Sequence, residues 1–459
     1  MTLTTQYRIA PPRNADVSPV IIYPMECRRY VGHQFLIIVT LLLSFLPLAL
    51  PAQKPEEKLA PAVELTPRNG LPNVLAKLNT GGEVRIGYLG GSITAAPGWR
   101  VKTLAWFQSQ YPKAQVSEIN AAIGGTGSGL GVFRVGEHVL KHQPDLLFVE
   151  FAVNDAGTDP ATIHRSMEGI VRQTWQANPN TDICFVYTFS APMLEDLKNG
   201  KFSRSATAME DIANHYHIPS IHMGLEVAQL EKDGKLVYQS TDKNADTAAG
   251  KIVFSTDGVH PLVETGHELY AAAVIRSLEK IKPIGKPAPH ELIAPLRADN
   301  SEKARLIPIQ KSMLKGNWTL LDPTQDNPGK RHAARVPSLW KANDPTACLE
   351  ITVNGSILDM YDLVGPDGGQ LNITVDGELK KPVNRIDAHC TYDRLSSFRV
   401  LTAPEGGLHK IKIQLSASAP DKKNILFERN RPDLEANPAK YANNHWYLGG
   451  LLLIGEVLP

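Results

Sequence analysis

The chain has 459 residues, of which 42% are hydrophobic and 21% charged, as is typical of a globular protein with apolar cores. This length indicates two or three domains rather than one. The formal net charge of +1 excludes the strong basic excess that nucleic-acid binding requires.

Residues 1–52 are predicted to direct export. The apolar run Phe35–Leu50 is shorter than the roughly 20 residues that a membrane-spanning helix needs, and a proline interrupts it. Arg28 and Arg29 precede this run, as in a secretory signal peptide. Because the 34 residues before the run are too many for such a peptide, we expect translation to start at Met25. This predicts a secreted or periplasmic protein, and the alternative is a membrane-anchored chain with an uncleaved helix.

After an N-terminal segment of residues 53–81, residues 82–281 alternate short apolar runs with longer amphipathic stretches. The apolar runs predict strands at Val84–Leu89, Val116–Ile119, Leu146–Val153, Ile183–Thr188 and Ser220–Met223. The amphipathic stretches predict helices at Trp99–Gln110, Leu130–His142, Ile163–Ala177, Ala206–Tyr216 and Thr265–Lys280. This alternation favours an α/β domain with a parallel sheet that helices cover on both faces.

The pattern changes in the last third of the chain. Residues 282–300 are rich in proline and alanine and predict a linker. In residues 301–459, alternating strands are predicted at Leu349–Val353, Gln370–Val375, His409–Leu415 and Leu451–Ile454. Glycine-rich turns separate them and helical patterns are nearly absent, which favours an all-β sandwich of jelly-roll type.

Reactive residues follow the predicted strands of the α/β domain. Ser92 follows the first strand, Gly125 lies after the second and Asn154 after the third. Asp257 and His260 precede the last helix. Because ligand sites lie at the carboxyl ends of parallel strands, we expect these residues to meet at one edge of the sheet. A serine, a base and several hydrogen-bond donors are the parts of a serine hydrolase.

Each part has a physical role in acyl transfer. His260 can act as the base that a serine hydroxyl needs, and Asp257 can orient its imidazole. The backbone N–H groups of Ser92 and Gly125 and the side-chain amide of Asn154 are the predicted oxyanion donors. Arg100, just past the nucleophile, is a further expected substrate contact. Each feature alone also fits an ordinary turn or helix cap, so the prediction depends on their occurring together.

Four sequence blocks resemble those of the SGNH (GDSL-like) hydrolase family, in its order and at similar spacing. They are GGSIT at Ser92, NAAIGG before Gly125, VEFAVND at Asn154 and DGVHP at His260. The resemblance covers roughly residues 82–281 and implies a flavodoxin-like three-layer α/β/α domain with Ser92, Asp257 and His260 as catalytic residues. It also implies that Gly125 and Asn154 line the oxyanion hole. Gly91 stands where many members have Asp. A G-x-S-x-G motif is absent from the sequence, which disfavours the α/β-hydrolase fold.

The expected function is that of an exported serine esterase that acts on acylated small molecules or polysaccharides. Since the appended β domain resembles carbohydrate-binding modules, O-acetyl groups on carbohydrate are the expected substrate. No cofactor or metal is expected, because the cysteines and histidines lack zinc-ligand spacing. The alternatives are an acyltransferase that uses the same site and a glycan-binding protein that has lost its hydrolase activity.

Several points stay open at the level of sequence. Residues Leu225–Phe254 fit either a lid or a surface insertion. Cys348 and Cys390 could form a disulfide in an exported protein, but their spacing does not show it. The oligomeric state is not encoded in any pattern of this sequence. Four aromatic residues of the β domain fit either sugar stacking or packing: Trp340, Tyr361, Tyr392 and Trp446.

Overall fold

The computed structural model describes residues 58–458. The predicted signal peptide within residues 1–52, including Met25, lies outside the described residues. Among the residues described, no helix is both long enough and apolar enough to span a membrane.

The α/β part is built on a six-stranded sheet in the order β1-β6-β5-β4-β2-β3. Its strands are β1 (Leu65–Thr66), β2 (Glu83–Gly90), β3 (Gln115–Asn120), β4 (Leu146–Glu150), β5 (Asp182–Tyr187) and β6 (Ser220–His222). Strands β2 to β6 are parallel, and β1 pairs antiparallel with β6. The order β3-β2-β4-β5-β6 is the flavodoxin-like order. Its switch point lies at β2, because β3 is placed on one side of β2 and β4 on the other.

Helices cover both faces of this sheet, which confirms the predicted α/β architecture. They are α1 (Pro72–Thr80), α2 (Ser92–Ala95), α3 (Trp99–Gln110), α4 (Ser128–His138), α5 (Pro160–Ala177), α6 (Leu194–Lys198), α7 (Arg204–His215), α8 (Leu225–Lys232), α9 (Lys243–Ala248) and α10 (Gly266–Ile281). Helices α4, α5 and α7 share one apolar core, and α1, α3, α8 and α10 share the other. Strand β4 is buried at every position because it lies between these two cores.

Several predicted boundaries moved by a few residues, and contacts of Asp155 account for two of them. The strand predicted over Leu146–Val153 ends at Glu150, because the chain turns there and Asp155 N donates to Phe151 O at 2.9 Å. The helix predicted from Leu130 begins at Ser128, whose backbone N–H donates to the Asp155 carboxylate at 3.1 Å. A carboxylate at a helix N-terminus satisfies a free N–H and complements the helix dipole.

Residues 225–254 fold into local structure that includes α8 and α9. Strands β7 (Leu236–Gln239) and β8 (Ile252–Ser255) form a separate parallel pair within this part of the chain. Strand β8 ends two residues before Asp257, so this stretch leads directly into the predicted Asp/His motif.

The C-terminal part is a large antiparallel sheet of eleven strands. They are β9 (Ala304–Pro308), β10 (Leu314–Lys315), β11 (Trp318–Leu320), β12 (Trp340–Ala342), β13 (Cys348–Val364), β14 (Gln370–Val375), β15 (Glu378–Leu379), β16 (Val383–Asn384), β17 (Arg394–Thr402), β18 (Leu408–Leu415) and β19 (Trp446–Leu458). Four short helices interrupt it: α11 (Pro328–His332), α12 (Lys422–Ile425), α13 (Arg431–Ala436) and α14 (Pro438–Tyr441).

Strand β13 is much longer than the predicted Leu349–Val353. Along one edge it pairs with β18 and then with β17, and along the other edge with β19. The register with β19 shifts between Gly355 and Ile357, as at a β-bulge. The bulge breaks the period-2 alternation that marks the first half, and the second half becomes buried at consecutive positions. This half includes the buried Asp359 and Asp362, and it lacks the alternating signal of a half-exposed strand.

The β domain packs against the face of the α/β part that carries α4. Tyr361, Leu363 and Tyr447 of the β domain belong to the same apolar core as the residues of α4. The predicted linker of residues 282–300 is also fixed to the α/β part. In this segment the His290 ring stacks on Trp175 with centroids 4.8 Å apart.

The structure shows the pairing state of the cysteines and the burial of the four aromatic residues considered for sugar stacking. Cys184, Cys348 and Cys390 are buried free thiols, so the structure does not join Cys348 to Cys390. Tyr361 and Trp446 are fully buried and Trp340 is partly buried, whereas the Tyr392 side chain is exposed.

Candidate active site

The predicted nucleophile lies at the sheet's switch point. Ser92 is the first residue of α2, directly after β2 and Gly91. Its Oγ lies 2.7 Å from His260 Nε2. This is hydrogen-bond distance for the transfer of a proton from the hydroxyl to the imidazole.

Asp257 holds His260 from the opposite side of the ring. His260 Nδ1 lies 2.7 Å from Asp257 Oδ2. Asp257 Oδ1 accepts hydrogen bonds from the backbone N–H groups of Val259 and His260, both at 2.8 Å. The carboxylate therefore fixes the ring and the backbone that carries it, and an Nδ1–H that donates to it leaves Nε2 free to accept from Ser92.

Ser255, which the sequence analysis did not single out, completes this loop. Its Oγ donates to Asp257 Oδ1 at 3.0 Å and accepts from the backbone N–H of Gly258 at 3.0 Å. Gly258 has φ +76. Gln239 of β7 packs against it so closely that a Cβ on residue 258 would lie 2.5 Å from Gln239 Oε1. The stretch Leu225–Phe254 thus supports the Asp/His loop.

The charge state of Asp257 follows from these contacts. Burial acts to raise the pKa of its carboxyl, but hydrogen bonds from the His260 ring, from two backbone N–H groups and from Ser255 hold the pKa well below its usual range. Asp257 is therefore ionised across the neutral range, as an orienting and charge-stabilising partner of His260 must be. The side chains of His260 and Asp257 remain 50% and 53% exposed, so the site is open to solvent.

The structure brings the loop that contains Gly125, and the side chain of Asn154, close to the turn that carries Ser92. A Cβ at Gly124 would lie 3.5 Å from Ser92 Cβ, so the glycine loop (residues 120–125) lies beside the nucleophile. Gly125 has φ +72, and a Cβ there would have no neighbour within 4 Å, so its backbone faces open space. The Asn154 side chain lies against Gly91, where a Cβ would be 1.9 Å from Asn154 Oδ1. This close approach explains why glycine precedes the serine in this chain.

A buried carboxylate supports the nucleophile turn, which is formed by residues 91–94. Glu150, at the end of β4, accepts hydrogen bonds from Thr94 Oγ1 at 2.9 Å and from Thr188 Oγ1 at 2.6 Å. Burial raises its pKa, while these bonds and one from the backbone of Gly91 oppose that rise. An acidic residue inside the apolar run LLFVEFAV was the available sequence signal for it.

Arg100 does not lie in the site. Its side chain is 5% exposed, and its guanidinium donates to Thr94 O at 3.1 Å and pairs with Glu118. These contacts anchor the end of the nucleophile turn. The prediction that Arg100 contacts substrate is therefore wrong, and the residue has a structural role instead.

The arrangement can perform nucleophilic acyl transfer. A hydroxyl, an imidazole and a carboxylate are linked by two hydrogen bonds of 2.7 Å, which is the arrangement that activates a serine for attack on a carbonyl. Within residues 58–458, no group of three or more metal-ligating side chains has a geometry that could hold a metal ion.

The flavodoxin-like fold and this site define a hydrolase whose serine lies at the end of a parallel strand. Residues 88–267 match the model of the GDSL-like lipase/acylhydrolase family. The chain thus carries a GDSL-like lipase/acylhydrolase domain followed by a β-rich region, and it is a carboxylic ester hydrolase. No curated protein sequence matches the chain.

Two solved structures resemble the chain over both parts. One is a two-domain esterase (CEX) active on acetylated mannans, co-crystallized with mannopentaose. It is 20% identical with a TM-score of 0.65, and the match covers 86% of this chain and 97% of that one. The other is also a two-domain esterase (CEX) active on acetylated mannans. It is 19% identical with a TM-score of 0.64, and the match covers 85% of this chain and 99% of that one. At these identities the likeness establishes a shared two-part fold.

Proposed function

We propose that the protein is a serine esterase that removes O-acetyl groups from carbohydrate through a covalent acyl-serine intermediate. The observation that carries the proposal is the Ser92–His260–Asp257 chain of hydrogen bonds at the carboxyl edge of the sheet. Carbohydrate is favoured because the similar two-domain esterase acts on acetylated mannans. The open site, with Asp257 and His260 half exposed, suits acetyl groups along a polymer better than a long acyl chain, which needs an enclosed apolar pocket.

In the proposed mechanism, Ser92 Oγ attacks the carbonyl carbon of the ester while His260 Nε2 takes its proton. The resulting oxyanion accepts hydrogen bonds from the backbone N–H groups of Ser92 and Gly125 and from the Asn154 side-chain amide. His260 then returns the proton to the sugar oxygen, and the C–O bond to the sugar breaks.

Water completes the cycle. It attacks the acetyl-serine carbonyl as His260 takes one of its protons, and collapse of the second tetrahedral intermediate returns that proton to Ser92. The products are acetate and a free sugar hydroxyl. Asp257 stays ionised throughout, because its hydrogen bonds depress its pKa.

The test is acetate release from acetylated glucomannan and p-nitrophenyl acetate by the parent and by Ser92→Ala. We expect the loss of the nucleophile to lower kcat by about 10⁴-fold or more. Ser109→Ala is the matched control, because Ser109 is an exposed serine on α3. Equal activity of the parent and Ser92→Ala would contradict the proposal.

Other outcomes separate the alternatives. If acetylated sugar forms faster than free acetate when an acceptor sugar is present, the site works as an acyltransferase. If the folded parent is inert on every ester but binds mannan, the chain is a glycan-binding protein.

We also propose that the protein is exported. The support is the apolar run Phe35–Leu50 with its preceding arginines. N-terminal sequencing of the protein from a culture medium or periplasmic fraction tests this, and a retained residue 35 in the mature protein would contradict it.

A further inference from the structure

Arg134 is a fully buried arginine in the middle of α4. Its Nη2 donates to Gly90 O at 3.3 Å, and its Nη1 donates to Ala121 O. Gly90 ends β2, just before the nucleophile turn, and Ala121 follows β3, at the start of the glycine loop. A single guanidinium thus joins the two strand ends that carry Ser92 and Gly125.

A second arginine reaches the same loop from the β domain. Arg335 Nη2 lies 3.4 Å from Ala122 O and 3.5 Å from Asn120 Oδ1. The backbone carbonyl of Arg335 is held by His138 Nε2 of α4 at 2.9 Å. The segment that follows α11 is therefore fixed to α4 at its backbone and to the glycine loop at its side chain.

The two arginines are linked through one peptide group. The Ala122 carbonyl that faces Arg335 belongs to the same peptide as the N–H of Ile123, which donates to Gly90 O at 3.0 Å. Gly90 O also accepts from Arg134. Hydrogen bonds in series polarise one another, so the positive charge of Arg335 strengthens the bond that holds the loop to the end of β2.

Neither guanidinium has a carboxylate within salt-bridge distance in the described part of the chain. By contrast, other buried arginines are paired: Arg100 with Glu118, Arg172 with Glu302 and Arg385 with Asp362. Arg134 is fully buried and Arg335 is partly buried, and a cation without a carboxylate partner is costly to bury. Proteins keep such costly groups mainly at functional sites. Here the positive charges contact the loop that carries Gly125, whose N–H is a proposed oxyanion donor, and positive charge near a developing oxyanion is favourable.

We propose that Arg134 and Arg335 are positioning residues that hold and polarise the loop Asn120–Gly125, so that the β domain completes the catalytic centre. This inference rests on the proposed esterase function. It assigns the β domain a role in the chemical step, separate from any binding of glycan.

The test compares Arg335→Met with the parent in p-nitrophenyl acetate hydrolysis. This substrate is too small to need a glycan-binding surface, so an effect on it reports on the catalytic centre. We expect kcat to fall by about 10-fold with little change in KM, because the oxyanion is weakened only in the transition state. Arg335→Lys should recover part of the loss, since it keeps the charge without the planar donor pair.

Arg172→Met is the matched control. Arg172 is a buried arginine that joins α5 to Glu302 and to Ile293 O without touching the glycine loop. Its loss should lower thermal stability and leave kcat within about two-fold. If Arg335→Met and Arg172→Met both change stability alone, or if Arg335→Met changes only KM, the inference is overturned.

Amide hydrogen exchange of residues 120–125 is the second measurement, and it needs no turnover. Faster exchange in Arg335→Met than in the parent and in Arg172→Met supports the inference even if no ester is cleaved. Unchanged exchange overturns it. An inert parent with a normally protected loop would instead count against the proposed function alone.

Discussion

The two sides of the active site are built in different ways. On the base side, Ser255, Asp257 and His260 lie within six residues and hold one another through hydrogen bonds inside one loop. On the nucleophile side, the contacts join distant parts of the chain. Thr94 bonds to Glu150, Gly90 to Arg134, and Ala122 to Arg335.

This difference bears on how each side tolerates change. Asp257 and His260 are half exposed, so a substitution at either residue alters the chemistry with little effect on packing. The nucleophile turn is surrounded by buried groups, including Glu150 at 1% exposure. A substitution there disturbs several partners at once, and the effects of paired substitutions should not add.

The largest expected effect comes from breaking the base side with Asp257→Asn. The amide would donate to His260 Nδ1 and stabilise the tautomer in which Nε2 carries the proton, so that Nε2 could no longer accept from Ser92. We expect kcat on p-nitrophenyl acetate to fall by about 10³- to 10⁴-fold.

The melting temperature of Asp257→Asn should stay close to that of the parent, because the side chain is exposed and isosteric. Asp242→Asn is the control, since Asp242 is an exposed aspartate that caps α9 by accepting from Ala245 N. A loss in Asp257→Asn of less than 10-fold would mean that another group orients His260.

A smaller effect is expected from breaking the nucleophile side with Gly91→Ala. The new Cβ would lie 1.9 Å from Asn154 Oδ1 and would push the amide away from the oxyanion position. The loss of one oxyanion donor costs about 10²- to 10³-fold in kcat. Gly129→Ala is the control, because a Cβ at Gly129 meets nothing within 4 Å.

The double variant Gly91→Ala, Asn154→Ala sharpens this test. If the methyl group acts only through Asn154, the double variant should be no slower than Asn154→Ala alone. A double variant that is much slower than Asn154→Ala would show that the Cβ distorts the Ser92 turn itself.

The sequence predicted the Asp/His motif and most strands and helices of the α/β part, because these depend on local patterns. The flavodoxin-like fold was implied by the family resemblance. Asp257 and His260 lie three residues apart, and the strands and helices of the α/β part have clear periodicity. Residues whose role depends on contacts across the chain were not recognised. Glu150 and Arg134 are charged residues in apolar surroundings, and the sequence does not reveal which backbone groups they contact.

Arg100 and β13 show the same limit. Proximity to Ser92 in sequence suggested a substrate contact for Arg100, but its partner Glu118 on β3 draws the guanidinium into the interior. Only the first half of β13 was predicted, because a bulge at Gly355 interrupts the alternation. Tertiary partners decided both outcomes.

Two aspartates cap helix N-termini in different ways. One directly precedes its helix in the sequence, and the other is distant from its helix in the sequence. Asp159 caps its own helix α5 by accepting from Thr162 N, and its hydrogen bonds with Thr162 lower its pKa. Asp155 accepts from Ser128 N of α4, across 27 residues. Burial raises the pKa of Asp155 to about 6, although its bonds to Ser128 oppose the rise.

These shifts have opposite consequences for stability. Native Asp155 binds its proton more tightly than the unfolded chain does, so its contribution to the free energy of unfolding falls as pH rises from about 4 to above 6. The shift corresponds to on the order of 3 kcal/mol. Asp159 stabilises only when ionised, so its contribution falls as pH drops through the acid range.

Urea unfolding at several pH values between 4 and 8 separates the two. The free energy of unfolding of Asp155→Asn should rise relative to that of the parent as pH increases from about 4 to above 6. That of Asp159→Asn should fall relative to the parent as pH increases over the lowest part of the same range. Identical slopes for the parent and Asp155→Asn would show that the Asp155 carboxyl is not shifted upward in the folded protein. The distant cap would then be as well solvated as the local one, and the difference between the two caps would not extend to their electrostatics.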